Sequence, residues 1–150
     1  MSFPIAAHWI RLGIQPPTLH VVLGSGLNSA LDSFALPAEW KERGEVAFAE
    51  VEGLVASGVA GHKGVYKFYE QTNSKKILCL QAGRLHGYEG HSPRDVVKTV
   101  LLPKIAGTKK FLLTNAAGSL KKDFGPGTLM ILTDHVNMTG TSPLYGPNPT

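Results

Sequence analysis

Three short apolar runs, at residues 18–23, 76–81 and 110–114, each end abruptly in a loop of glycines or other small residues. Runs of this length, rich in aliphatic and β-branched residues and bounded by turn formers, read as buried strands rather than helices. In an open α/β sheet, ligands bind at the carboxyl ends of strands. The three loops are therefore where chemistry is expected, and the remaining elements have to supply the sheet that holds them.

The first run leads into Gly24-Ser25-Gly26. Two glycines let backbone N–H groups approach an anion, Ser25 adds a hydroxyl, and residues 27–34 suit a short helix with its positive end behind the loop. The segment is not a P-loop, since no lysine followed by Ser or Thr closes the pattern. It also misses the dinucleotide fingerprint, because Ser29 stands where the third glycine belongs. The second run opens into Gly83-Arg84-Leu85-His86-Gly87-Tyr88-Glu89-Gly90-His91-Ser92-Pro93, a cluster of cation, imidazoles, phenol and carboxylate that a packed core does not need. Arg84 offers a planar fork of donors matched to phosphate or carboxylate, and His86 falls on the same side if the backbone stays extended. The third run ends in Asn115-Ala116-Ala117-Gly118-Ser119, whose small side chains leave the backbone open to a flat apolar group. Each loop alone is equally compatible with a ligand-free turn. Three at strand ends favour one binding site.

Further strands are expected at residues 46–48, 54–59, 65–69 and 128–133, with turns at Gly53, 61–64, 72–74 and Gly125-Pro126-Gly127. Several of these strands are joined by short turns, so part of the sheet is antiparallel. Ser92 as cap, Pro93 in the first position and Asp95 in the third mark a helix start. Val96, Val97, Val100, Leu101 and Ile105 supply its apolar face, and Pro103 is expected to kink it or end it early. The architecture predicted is mixed α/β: a central sheet flanked by helices.

With 43% hydrophobic and 17% charged residues, 150 residues suffice for one domain with a core. The net charge of +4 is spread over isolated pairs such as Lys75-Lys76, Lys109-Lys110 and Lys121-Lys122, without the run or interleaved aromatics of a nucleic-acid surface. A small anionic ligand accounts for it. The single cysteine, Cys79, lies in an apolar run and cannot form an internal disulfide, which fits a reducing cytoplasm. No apolar stretch approaches the length of a membrane span, and residues 1–13 are too short for a signal-peptide core.

Leu23-Gly24-Ser25-Gly26-Leu27, Gly61-His62-Lys63-Gly64, residues 83–90, Thr114-Asn115-Ala116-Ala117-Gly118 and Asp134-His135-Val136-Asn137 occur in the order seen in trimeric purine nucleoside phosphorylases, and the chain resembles that family over nearly its whole length. Methylthioadenosine phosphorylases share the layout but normally lack the His-x-Tyr-Glu-Gly arrangement after their equivalent of Arg84. The resemblance implies a nucleoside-phosphorylase-like fold incomplete at its carboxyl end, with residues 1–150 forming the amino-terminal part of a single domain. It implies phosphorolysis of inosine- or guanosine-type nucleosides by inorganic phosphate, without metal or organic cofactor, in a cytoplasmic homotrimer that engages neither nucleic acid nor membrane. Matched to the family motifs, Ser25, His62, Arg84, His86 and the backbone of Ala116 hold phosphate. Glu89 orients His86, these two forming the catalytic pair, Tyr88 contacts the ribose, and Ala116, Ala117 and Gly118 line the base. Asn115 shapes its loop.

The family's groups that grip the purine lie in the part that follows, so the chain alone is expected to be inactive or to serve as a phosphate-binding or subunit-interaction piece. A methylthioadenosine phosphorylase is the remaining alternative. No motif surrounds His8 or His20, His91 adjoins the helix cap, and His135 lies in a structural segment, so none is assigned chemistry. A metal site from His86, Glu89 and His91 matches no familiar ligand spacing.

Overall fold

The computed structural model describes residues 4–27, 36–55 and 64–147. Along them run α1 (Pro4–Leu12), β1 (Leu19–Leu23), β2 (Trp40–Ala47), β3 (Val65–Gln71), β4 (Ile77–Ala82), α2 (Pro93–Ile105) and β5 (Phe111–Leu113), with 3-10 turns at Phe48–Glu50 and Gly87–Glu89. The strands make one mixed sheet in the order β2-β3-β4-β1-β5. β1 runs parallel to both β4 and β5, while β2, β3 and β4 form an antiparallel meander.

Alternation along β3 places Tyr66 and Phe68 in the core, facing Val46 of β2 and Cys79 of β4 on the same side of the sheet. Ile5 and Trp9 of α1 pack on this cluster, as do Leu102 of α2 and Ala106 just beyond it, so both described helices cover one face. Cys79 is fully buried there, and burial pushes its thiol well above the usual range. Among the described residues, no helix is long and apolar enough to cross a membrane.

β2 is longer than the sequence pattern foretells. Its first residues, Trp40-Lys41-Glu42-Arg43-Gly44-Glu45, are mostly charged, as suits the edge of a sheet, and the ladder shifts register between Glu42 and Gly44. Arg43 Nη1 donates to Glu70 Oε2 at 2.7 Å, and Lys67 pairs with Glu45 at 3.7 Å, so the polar residues that obscure the strand also join it to β3.

The start of α2 follows the sequence expectation. The Ser92 hydroxyl accepts from the Asp95 N–H, Pro93 opens the helix, and hydrogen bonds from Lys98 and then Ser92 hold the Asp95 carboxyl below the ordinary range. The expected early end at Pro103 does not occur, since the helix continues to Ile105. Pro103 has no N–H for the carbonyl four residues back, which belongs to Thr99. That carbonyl is taken by the Tyr66 hydroxyl at 2.7 Å. Burial raises the Tyr66 phenol well above its usual pKa and keeps it a donor.

Two strand expectations need correction. Leu54 and Val55 lie outside any strand, and residues 56–59 fall outside the described set. Residues 128–133 are irregular and exposed, because β5 is the outermost strand on that side and no described strand pairs beyond it. β-propensity without a hydrogen-bonding neighbour does not make a strand.

Tyr66→Phe is expected to destabilise the fold by about 1–3 kcal/mol, the usual cost of orphaning a buried carbonyl. In a Pro103→Ala background the penalty should shrink, because the restored amide at position 103 can serve Thr99. A double-mutant cycle by denaturant unfolding measures the coupling, and additive penalties would contradict the account. Leu112, Leu113, Leu129, Ile131 and Val136 are all exposed, so light scattering on the chain is expected to show a mass above that of one copy. A monodisperse monomer at high concentration would count against a sticky apolar surface.

Candidate functional site

The parallel strands β4, β1 and β5 lie side by side and end at Ala82, Leu23 and Leu113, so their loops emerge together. The chain leaves β1 toward β2, β3 and β4, then crosses through α2 to β5 on the opposite side. This reversal opens a crevice at the end of β1.

Contact between the first and third loops is direct. Gly24 N–H donates to Thr114 Oγ1 at 2.8 Å, and the same hydroxyl donates to the Val22 carbonyl at 2.8 Å. A Cβ on Gly24 would meet the Thr114 carbonyl oxygen at 2.6 Å and Asn115 Cα at 2.8 Å, so glycine is demanded here by close backbone approach. The first and second loops meet through Arg84, whose Nη2 lies 3.5 Å from Ser25 Oγ. Arg84 Nε is buried and has no hydrogen-bond partner among the described residues.

The rest of the second loop is held by its own carboxylate. Glu89 Oε1 accepts the His86 backbone N–H at 2.9 Å, and Glu89 Oε2 lies 3.6 Å from His91 Nε2, an ion pair when that imidazole is protonated. Gly90 closes the turn in the left-handed region, at φ 88°. The His86 ring stacks on Tyr88 with centroids 4.8 Å apart and planes 13° from parallel. Tyr88 is exposed, so the pair presents a flat aromatic surface beside the loop.

Ser25 is thus brought to Arg84 and Gly24 to the Thr114 and Asn115 backbone, while His86, Tyr88 and Glu89 share one turn. His62 lies outside the described residues. Ala116, Ala117 and Gly118 are exposed along an open hollow of about 900 Å³ that Arg84 does not line. A second hollow, of about 450 Å³, lies between Arg84, Val22, Leu113 and the Val96, Val97 and Val100 side of α2. The apolar face read from the sequence is therefore only half covered, while Thr99 and Pro103 are the buried positions of the helix. Among the described residues, no group of three His, Cys, Asp or Glu side chains is placed to hold a metal ion. Sequence reasoning missed the bridging role of Thr114, whose only signal is a hydroxyl at the last position of an apolar run.

The arrangement defines an α/β protein whose parallel strands deliver a glycine turn, a guanidinium and a small-residue loop to one crevice. A family model described as the phosphorylase superfamily matches residues 21–150, and the chain belongs to that superfamily. It is 39% identical over 136 residues to the purine nucleoside phosphorylase of Mycobacterium leprae (strain TN), covering 91% of this chain and 48% of that protein. It is 35% identical over 144 residues to purine nucleoside phosphorylase 1 of Bacillus subtilis (strain 168), with coverage of 95% and 50%. The chain spans about half the length of these curated relatives. In fold it is similar to the crystal structure of isoform 2 of purine nucleoside phosphorylase from Schistosoma mansoni in complex with cytosine and ribose-1-phosphate. The TM-score is 0.73 at 23% identity, over 97% of this chain and 49% of that one.

Gly24→Ala is expected to cost roughly 1–3 kcal/mol as overpacking against backbone that cannot rotate away. Its signature should be local: faster hydrogen exchange at the Thr114 amide, which bonds the Val22 carbonyl at 3.1 Å. Unchanged protection there would mean that the loops separate without consequence.

Proposed function

We propose that this chain carries the phosphate site and part of the ribose site of a purine nucleoside phosphorylase, as the amino-terminal part of a single domain. The observation that carries the reading is the Arg84 guanidinium, in reach of Ser25 and with a buried Nε that no described residue satisfies. A buried charged donor without an acceptor is costly, and an anion seated between the loops supplies what it lacks. The relatives named above support phosphate as that anion.

In this reading a phosphate oxygen bonds to the anomeric carbon of an inosine- or guanosine-type nucleoside as the glycosidic C–N bond breaks. The base leaves with the electron pair and gains a proton, and ribose 1-phosphate remains. Positive charge develops on the sugar, so an anion held beneath it stabilises the transition state. Ser25, His62, Arg84, His86 and the Ala116 backbone hold the phosphate. Glu89 fixes the His86 turn, Tyr88 meets the ribose, and Ala116, Ala117 and Gly118 lie along the base. The chemistry requires no cofactor, and the working assembly is a cytoplasmic homotrimer. Because the chain spans half the length of its relatives, its share is binding phosphate, and turnover requires the groups that stabilise the departing base.

Phosphate titration of the chain should give saturable binding that Arg84→Ala weakens roughly tenfold to a hundredfold, the worth of a charge-assisted hydrogen bond. Affinity indifferent to this substitution would overturn the site. With inosine or guanosine plus phosphate, the chain alone should release no base at an enzymatic rate. Turnover by these residues alone would show that the leaving-group contacts lie within them.

A further inference from the structure

Beneath the Arg84 loop, the described residues hold a buried polar pair that neither the motifs nor the proposed chemistry uses. His20 of β1 and Gln81 of β4 are both fully buried, on the face of the sheet that carries Tyr66. His20 Nε2 lies 2.8 Å from Gln81 Oε1, and Gln81 Nε2 donates to the Gly83 carbonyl at 3.0 Å. The directions of these bonds follow from chemistry. A backbone carbonyl only accepts, so the Gln81 amide turns its NH2 toward Gly83 and its oxygen toward His20. That oxygen also only accepts, so the His20 proton resides on Nε2.

The other ring nitrogen, Nδ1, is buried and has no hydrogen-bond partner among the described residues. The ring is enclosed by Tyr66, edge-on at 5.6 Å, and by Phe111 at 5.3 Å. Burial lowers its pKa to about 4, against the opposing effect of the Gln81 bond, so the imidazole is neutral at physiological pH. An apolar residue of similar size would fill this space without an orphaned nitrogen. What the pair supplies instead is direction.

The β4 ladder ends at Ala82, and the next residue, Gly83, sits at φ 102°, where glycine alone moves freely. The Gln81 amide bonds the Gly83 carbonyl, whose peptide bond leads directly into Arg84. We propose that His20 and Gln81 are positioning residues, a fixed imidazole-to-amide relay that holds the Gly83 peptide and thereby aims the Arg84 guanidinium at its anion. The aiming rests on the reading of Arg84 as an anion-binding residue. The relay itself does not.

The experiment is heteronuclear NMR of the labelled chain together with phosphate titration. The His20 imidazole should show the Nε2–H tautomer. Gln81→Met removes both bonds at similar volume, and should shift the Gly83, Arg84 and Leu85 amides while leaving β2 and β3 in place. It should also weaken inorganic phosphate roughly fivefold to tenfold, the worth of one hydrogen bond. A merely structural role would lower the melting temperature and leave the phosphate affinity of the folded chain unchanged. If Gln81→Met does not fold, His20→Phe serves in its place: it leaves Gln81 unheld, and the same three amides should move. An Nδ1–H tautomer, or Gly83, Arg84 and Leu85 resonances that stay put in a folded variant, would overturn the relay. A wild-type chain that binds no phosphate would instead overturn the anion reading, with the tautomer and amide shifts still deciding the relay.

Discussion

Gly24 lies so close to the backbone of Thr114 and Asn115 that no side chain fits between them, and the geometry of the crevice depends on that contact. It sets how near the ends of β1 and β5 approach, and Thr114 secures the approach by accepting from Gly24 while donating to Val22. With β4 registered on the other side of β1, the Arg84 loop is delivered to the same place. The loops after β1 and β5 therefore touch because one position has no Cβ.

Buried polar groups do the finer placement. Tyr66 satisfies the carbonyl that Pro103 leaves open, which fastens α2 to the sheet without ending the helix. His20 and Gln81 sit on the same face and reach the Gly83 carbonyl just past the end of β4. In each case a donor with one available partner gives an orientation that apolar packing would not provide. These bonds tie the helix and the loop to the sheet. The charged edge of β2 lies at the far side, where Arg43 and Glu70 pair in partial exposure and contribute little to stability.

The half-covered side of α2 and the exposed apolar residues after β5 belong to the same picture. The chain spans about half the length of its relatives, and its described residues hold the sheet interior, the parallel strand ends and their loops. The hollow beside Val96, Val97 and Val100 and the outer edge of β5 remain open.

The local signals were legible from the residues themselves. Gly24-Ser25-Gly26, the Arg84-to-Glu89 run and the Ala116 loop read as strand-end loops because apolar runs stop at glycine or other small residues, and the cap of α2 read from Ser92, Pro93 and Asp95 because capping is a matter of three neighbouring side chains. The charges of residues 40–45 hide a strand, and the apolarity of 128–133 mimics one, since whether a segment is a strand depends on a partner far away in sequence. His20 carried no motif at all. Sequence alone determined which residues can turn, cap and bear charge, because those properties are set by each side chain and its nearest neighbours. Tertiary structure decided that Pro103 stays inside a helix, that Thr114 bridges two loops and that His20 meets Gln81, because each of those bonds joins groups that only the folded sheet brings within 3 Å.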